Sequence, residues 1–309
     1  MTHHFLGDEV VHFVWDNSIE PRLEIESGDS VVFQTRSASD NFYTWQSTSA
    51  DVLRRVMKGH ALTGPVRIKG ARPGDTLEIE VLDLKPGEMG YTTIVPGRGL
   101  LPEDFPEPFL KLWDLRNGRT AELRAGIEVP IEPFHGVMGV APAEPGEHLT
   151  APPRRVGGNM DVKQLTVGAR LFLPIEVEGA LFSVGDGHAA QGDGEVCITA
   201  IETSMTSHLG FTVHPDRRLA GPQFRTAGPL AGGANTAGWY ATTGIAPDLM
   251  EATKQATREM IAYVERSYSL SPEEAYVLCS VAMDLKVSEV VDAPNWVVSG
   301  FIPLSIFGS

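Results

Sequence analysis

Turn-forming residues recur along the whole chain, and this spacing limits the fold more than any other feature. The 309 residues include 32 glycines and 22 prolines, which are spread from end to end and are not pooled in one linker. Because both residue types interrupt regular elements, such spacing favours many short strands. Three turn-then-strand units, at residues 23–33, 72–84 and 165–173, indicate a β-sandwich or jelly roll.

The clearest strand covers residues 76–84. Leu77, Ile79 and Val81 alternate with acidic residues, so these three side chains are expected to face a core. An Arg-Pro-Gly-Asp sequence at residues 72–75 precedes the strand and is a typical turn.

Helices are expected only near the C-terminal end. Apolar residues recur at helical intervals over residues 248–266. A second helix is predicted from Ser271, since a serine N-cap is followed by Pro272 and by Glu274 three residues on, which is a capping box. We therefore expect a mainly β body over residues 1–200, carrying most of the site loops, and a mixed α/β portion over residues 201–309 packed on it.

Charge and apolar patterning narrow the choice of partners. With 25 basic and 40 acidic residues, the net charge of −15 repels phosphate backbones, so nucleic acid is not an expected partner. No apolar stretch reaches membrane-spanning length, and no secretory signal pattern opens the chain.

Cys197 and Cys279 lack metal-site spacing and are expected to be buried free thiols in the cytoplasm. Open strand edges favour a homo-oligomer.

The window at residues 182–195 is the richest in polar chemistry. Asp186 and His188 lie two residues apart among glycines, so in an extended segment both side chains face the same side. A carboxylate and an imidazole on one face are suitable ligands for a divalent metal such as zinc. The alternative is a polar hairpin tip, in which the glycines simply make turns.

Two further loops present one or two polar side chains each. Asn159 and Asp161 follow a pair of glycines and share a face, although a turn entering a strand explains the same pattern. His60 stands alone in a loop of small residues at 59–65, and a lone histidine is more often structural than a ligand. No GxSxG elbow or P-loop occurs, which disfavours serine nucleophiles and nucleotide binding.

Taken together, the loops resemble the acetamidase/formamidase family. The resemblance is carried by five segments in the family's order, from about residue 10 to residue 295 of the chain: GHALTGP at 59–65, GARPGDTL at 70–77, MGVAP at 138–142, GGNMD at 157–161 and GDGHAAQGDGE at 185–195. The resemblance implies hydrolysis of a short-chain amide, acetamide or formamide, to the acid and ammonia. It also implies a β-sandwich body of CUB-like or jelly-roll type, an α/β portion and the divalent metal site found in some members of the family.

In the light of this resemblance the separate loops are expected to converge on one metal. The expected ligands are His60, Asp161, Asp186 and His188. Zinc suits mixed nitrogen and oxygen ligands, whereas calcium, the alternative, prefers more oxygens. A metal would lower the pKa of a bound water and polarise the amide carbonyl.

Three other residues are given roles in amide hydrolysis. Glu195 is the candidate general base, which takes the proton of the water and returns it to the departing nitrogen. Asn159 and Gln191 are expected to hydrogen-bond the substrate amide or its oxyanion. These roles predict an amidohydrolase that acts on linear C–N amide bonds of small neutral substrates.

Two alternatives stay open from the sequence. One keeps the enzyme class and changes the substrate to a lactam. The other is a non-catalytic β-sandwich that uses the acidic loop to bind a metal and a partner without turnover. A binding module needs no general base, so replacing Glu195 by glutamine separates catalysis from binding.

Overall fold

The computed structural model describes residues 2–56, 58–228, 237–291 and 293–308. Strands account for 41% of it and helices for 13%, which confirms the mainly β class with a helical part toward the C-terminus. No helix in the described ranges is long and apolar enough to cross a bilayer.

Nineteen strands and three α-helices are found in the described ranges. The strands are β1 (His3–Leu6), β2 (Val14–Trp15), β3 (Leu23–Ile25), β4 (Ser30–Thr35), β5 (Leu62–Ile68), β6 (Thr76–Ile94), β7 (Phe109–Asp114), β8 (Thr120–Arg124), β9 (Ile127–Pro130), β10 (Phe134–Val140), β11 (His148–Leu149), β12 (Gly157–Asn159), β13 (Arg170–Pro174), β14 (Phe182–His188), β15 (Glu202–His214), β16 (Gln223–Arg225), β17 (Trp239–Ala246), β18 (Asp284–Glu289) and β19 (Trp296–Pro303). The helices are α1 (Ser49–Val52), α2 (Leu249–Tyr268) and α3 (Pro272–Ala282).

One large sheet positions the site. Twelve of the described strands join it, and its main path runs β12-β10-β14-β15-β6-β13-β16. The predicted strand at residues 76–84 is confirmed as the first half of β6, where Leu77, Ile79 and Val81 are buried. The strand continues to Ile94, and its second half pairs with the start of β15.

Local sequence signals define the two long helices. The side chain of Asp248 accepts a hydrogen bond from Glu251 N at 2.9 Å and caps α2. Ser271 and Glu274 form both bonds of the predicted capping box at the start of α3, at 3.0 and 3.2 Å. The short helix α1 was not predicted, because a four-residue helix has no apolar periodicity.

The helix α3 supports the loop that joins β14 to β15. Ser280 Oγ accepts a hydrogen bond from Cys197 N at 3.1 Å and donates one to Thr199 O at 2.8 Å. Cys197 and Cys279 are buried free thiols, as expected. Residues 189–201 therefore lie against α3 and share one buried apolar cluster with it.

The C-terminal residues form a second, smaller layer. A three-stranded sheet has the order β17-β19-β18, and α2 packs against β17 and β19. The expected boundary near residue 200 falls between β14 and β15, which pair within the large sheet. The division of the chain at that residue stays a prediction.

Candidate active site

The glycine-rich window at residues 182–195 begins as a buried strand. Every residue of β14, including Asp186 and His188, is buried, so this part of the window is not an exposed hairpin tip. The strand lies between β10 and β15, and His188 is its last residue. Burial of a carboxylate and an imidazole costs free energy unless they are paired or bind a metal.

His188 Nε2 is the centre of a carboxylate cluster. It lies 3.3 Å from Asp186 Oδ1, 3.4 Å from Glu202 Oε2 and 3.9 Å from Glu195 Oε1. In the described residues two groups each place three potential ligand atoms within 4.8 Å of one another: Asp161, Asp186 and His188, and His188, Glu195 and Glu202. Histidine and carboxylates at this spacing are suited to a divalent cation.

Three of these acidic residues have left-handed backbone. Asp161, Asp186 and Glu195 have φ values of 51°, 55° and 44°. Non-glycine residues adopt such angles at a cost in free energy, and the surrounding structure must enforce them. Their occurrence at three members of one cluster indicates that the fold holds these carboxylates in place against local preference.

His60 lies at the edge of the cluster. Its Nε2 is 3.9 Å from Asp186 Oδ2, and its Nδ1 is 3.1 Å from Thr150 Oγ1. Burial lowers the pKa of His60 below its usual value, which favours the neutral imidazole that binds metals. The structure thus brings all four sequence-predicted ligands to one place, with His60 outside the two tight groups.

Gln191 hydrogen-bonds two residues of the cluster. Its Oε1 accepts a hydrogen bond from His188 Nδ1 at 2.9 Å, and its Nε2 donates one to Asp161 O at 2.9 Å. With the proton of Nδ1 fixed in this bond, the other ring nitrogen of His188 is directed at the carboxylates. A contact between Gln191 and substrate stays a prediction, because both polar ends of the side chain are engaged here.

Asn159 makes a different contact from the one expected. Its Nδ2 donates to Ala151 O at 3.1 Å, while its Oδ1 is buried and has no hydrogen-bond partner among the described residues. Among the described residues, Asn159 makes no hydrogen bond to the cluster around His188. Its proposed role with substrate also stays a prediction.

Burial and neighbouring charges shift the pKa values of the carboxylates in the cluster. Burial raises the pKa values of Asp161 and Glu202 to about 7, and nearby negative charges add to the effect. Burial and the charge of Asp161 also raise the pKa of Glu195 well above its ordinary value. Asp186 differs: burial alone would raise its pKa, but His188 and His60 hold it below the usual range. The cluster therefore combines one strongly acidic carboxyl with three that retain protons readily.

Glu202 is a site residue that the sequence analysis missed. It is the first residue of β15 and lies directly opposite His188 of β14. Its sequence context is a single acid after apolar and small residues, which carries no signal by itself. Only the pairing of β14 with β15 shows that its carboxylate belongs to the cluster.

His135 of β10 is a second residue that the sequence analysis did not assign to the site, and its ring lies beside the cluster. Nδ1 is 2.9 Å from Gly185 O, and Nε2 is buried without a hydrogen-bond partner among the described residues. Burial lowers the pKa of His135 to about 4, so the ring is neutral near pH 7. A histidine within an apolar strand gave no pattern that points to this position.

The geometry of these residues fits a divalent cation. Four potential ligand atoms are buried and lack hydrogen-bond partners in the described ranges: Asp161 Oδ1, Asp186 Oδ1, His188 Nε2 and Glu202 Oε2. Buried polar atoms rarely stay unsatisfied, so this concentration requires an explanation. A Cβ built on Gly136 would lie 2.6 Å from oxygens of both Asp161 and Asp186, so glycine keeps their space open.

Comparison with known proteins identifies the family of this chain. The model of the acetamidase/formamidase family matches residues 2–149 and 145–309. The chain belongs to this family. The resemblance given by the five sequence segments is thereby confirmed.

Individual relatives agree with the family match. An acetamidase from Mycolicibacterium smegmatis is 28% identical over 60% of this chain, and the match spans 61% of that protein. A formamidase from Methylophilus methylotrophus is 26% identical, and the match covers 80% of this chain and 77% of that protein.

Solved structures of similar fold carry related names. A gamma lactamase from Delftia acidovorans has a TM-score of 0.89 and 26% identity, covering 96% of this chain and 89% of its own. An acetamidase from Bacillus halodurans has a TM-score of 0.68 and 34% identity, covering 97% of each chain.

Proposed function

We propose that this protein is an amidohydrolase that converts short-chain aliphatic amides, acetamide or formamide, to the carboxylate and ammonia. The observation that carries the proposal is the buried cluster of carboxylates around His188, found in a member of the acetamidase/formamidase family. The names of the Mycolicibacterium and Methylophilus relatives support the substrate class.

A divalent metal, zinc in our proposal, is held by residues of the cluster. The predicted set of His60, Asp161, Asp186 and His188 is joined by Glu202. Its Oε2 lies 3.4 Å from His188 Nε2 and has no hydrogen-bond partner among the described residues. When bound, such an ion would act as a Lewis acid toward the amide carbonyl and lower the pKa of water. An imidazole ligand favours zinc over calcium, which prefers an all-oxygen shell.

Glu195 is the carboxylate best placed to move a proton. Its side chain is 16% exposed, whereas those of Asp186 and Glu202 are 4% and 3% exposed. A partly accessible carboxylate can meet both a water and a substrate nitrogen. Its raised pKa suits a group that takes a proton from water and returns it to the leaving nitrogen.

Replacing Glu195 by glutamine tests this role. We expect kcat for ammonia release from acetamide to fall by about 10²–10⁴-fold, because general acid–base catalysis contributes that much. Glu122→Gln, an exposed position on β8, is the matched control and should leave kcat unchanged. Steady-state ammonia assays on formamide and acetamide, and detection of the ring-opened amino acid for a γ-lactam, provide the measurement. Equal kcat in Glu195→Gln and the wild type would contradict the proposed role.

Lactam hydrolysis is the second candidate, favoured by the fold match to the Delftia gamma lactamase. Parallel assays separate the two candidates: ammonia release reports on the linear amides, and formation of the ring-opened amino acid reports on the γ-lactam. Turnover of the γ-lactam without turnover of either linear amide would replace the first proposal by the second. Binding of metal without turnover of any of these compounds would favour a non-catalytic module.

The remaining expectations also belong to the proposal. A β-sandwich of jelly-roll type is supported by the long, mostly antiparallel large sheet. A homo-oligomer is supported by the edge strand β17, which exposes Trp239 and Ile245. Two buried free thiols suit a cytoplasmic location, and a net charge of −15 argues against nucleic acid as a partner.

A further inference from the structure

A small cavity adjoins the carboxylate cluster. Its volume is about 240 Å³, and its walls include Tyr43, Met89, Tyr91, Glu202 and Ser204. Since Glu202 also belongs to the cluster, the cavity and the cluster share one side chain as a wall. Pockets for drug-sized ligands have volumes of about 300–1,000 Å³, so this one suits a smaller compound.

Tyr91 is placed beside the cluster by the register of three strands. His188 of β14 lies opposite Glu202 of β15, and Glu202 lies opposite Tyr91 of β6. Residues directly opposite each other on neighbouring strands point to the same face of a sheet. The phenol of Tyr91 therefore follows His188 and Glu202 in a row, on the face that carries the site.

The ring of Tyr91 is held in place, yet its hydroxyl is not paired. The ring packs against that of Tyr43 with centroids 4.5 Å apart, and Tyr91 is 1% exposed. Its hydroxyl has no hydrogen-bond partner among the described residues. Ser39 lies beside it without meeting hydrogen-bond geometry, and the Ser39 hydroxyl is paired with Ser37 Oγ at 3.0 Å. Buried tyrosine hydroxyls usually find a partner, so an acceptor from outside the chain is expected.

The chemistry of that acceptor follows from the surroundings. A tyrosine hydroxyl carries its proton at neutral pH, so Tyr91 can donate a hydrogen bond. The neighbouring carboxylates disfavour an anionic ligand. A neutral carbonyl oxygen that gains negative charge during the reaction is the acceptor that gains most from such a donor.

We propose that the Tyr91 hydroxyl donates a hydrogen bond to the carbonyl oxygen of the bound amide, and that the adjoining cavity receives its acyl group. This inference rests on the proposed amidohydrolase function. It adds a substrate-contacting residue outside the metal cluster and makes the cavity between Tyr43 and Met89 the part of the site that selects short acyl chains.

Tyr91→Phe tests the hydrogen bond, because it keeps the ring and removes only the hydroxyl. We expect kcat for acetamide to fall by about 10²–10³-fold, the usual loss for one oxyanion donor. The melting temperature should be unchanged, since the hydroxyl has no hydrogen-bond partner among the described residues. Tyr240→Phe on β17, an exposed tyrosine that is not among the residues lining the cavity, is the control and should change neither quantity.

Each outcome of this experiment decides a different point. If Tyr91→Phe retains wild-type kcat while the wild type hydrolyses acetamide, the inference is overturned and the proposed function stands. A lower melting temperature with unchanged kcat would give Tyr91 a structural role and would also overturn it. If the wild type, folded and supplied with zinc, hydrolyses no amide, the proposed function fails and this inference fails with it.

Met89→Ala tests the cavity independently of the hydroxyl. The change shortens a wall side chain and enlarges the cavity. It should raise kcat/KM for butyramide relative to acetamide by about tenfold, the low end of the roughly 10–200-fold that one methylene contributes in a hydrophobic pocket. An unchanged ratio, in a variant that retains turnover of acetamide, would show that the acyl group binds elsewhere.

Discussion

Gly136→Ala is expected to lower metal affinity and amide turnover by more than about 100-fold while the fold is kept. The new Cβ would lie 2.6 Å from Asp161 Oδ1, 2.6 Å from Asp186 Oδ2 and 2.8 Å from His188 Cε1. All three side chains are members of the proposed metal site, so they must move apart to admit the methyl group. Removing a residue that only hydrogen-bonds a metal ligand lowers metal affinity or activity by about 10–100-fold, so displacing the ligands themselves should lower both further.

A matched substitution isolates this steric effect. Gly210 also lies within a strand, and a Cβ there would meet Leu82 at 3.5 Å, an ordinary contact. Gly210→Ala should therefore retain wild-type metal content and turnover. Circular dichroism checks the fold, and metal analysis with ammonia release checks the site. Full activity in Gly136→Ala would mean that these carboxylates do not need their present spacing.

Asp186→Asn is expected to have an effect of similar size through charge alone. Asp186 lies within 4 Å of two histidines, with Oδ1 3.3 Å from His188 Nε2 and Oδ2 3.9 Å from His60 Nε2. Asparagine has nearly the same volume and tolerates the left-handed φ of 55°, so the backbone should not change. What is lost is the carboxylate of the cluster whose pKa is held below the usual range by His188 and His60. Zinc affinity and kcat should both fall by more than about 100-fold.

The control for this change is Asp216→Asn. Asp216 also has a left-handed φ, of 60°, but is exposed and lies outside the cluster. The Asp216→Asn variant should bind zinc and release ammonia like the wild type. A zinc titration followed by calorimetry provides the affinity, and wild-type affinity in Asp186→Asn would remove Asp186 from the ligand set.

The sequence predicted local structure well where short-range signals are strong. The capping box at Ser271 and the alternation of β6 depend on residues a few positions apart, so they are readable without tertiary information. Glycines, a carboxylate and an imidazole within one window also single out Asp186 and His188 from sequence alone. The fold places both side chains in the buried cluster, and their role as metal ligands stays a prediction.

The parts of the site that sequence could not predict depend on strand register. Glu202 and Tyr91 join the site because β14, β15 and β6 place them in a row with His188. They are 14 and 97 positions from His188, and a shift of the register by one residue would turn each side chain to the other face. Register is set by packing over the whole sheet, and no local motif encodes it here.

Ammonia release after metal removal and restoration tests the central claim most directly. Acetamide turnover would be measured with the purified protein, after thorough chelation, and after addition of one equivalent of zinc per chain. We predict loss of turnover on chelation and its recovery with zinc in the wild type, but not in Asp186→Asn. Full turnover in protein shown by elemental analysis to be free of metal would contradict the assignment of a metal to the cluster around His188.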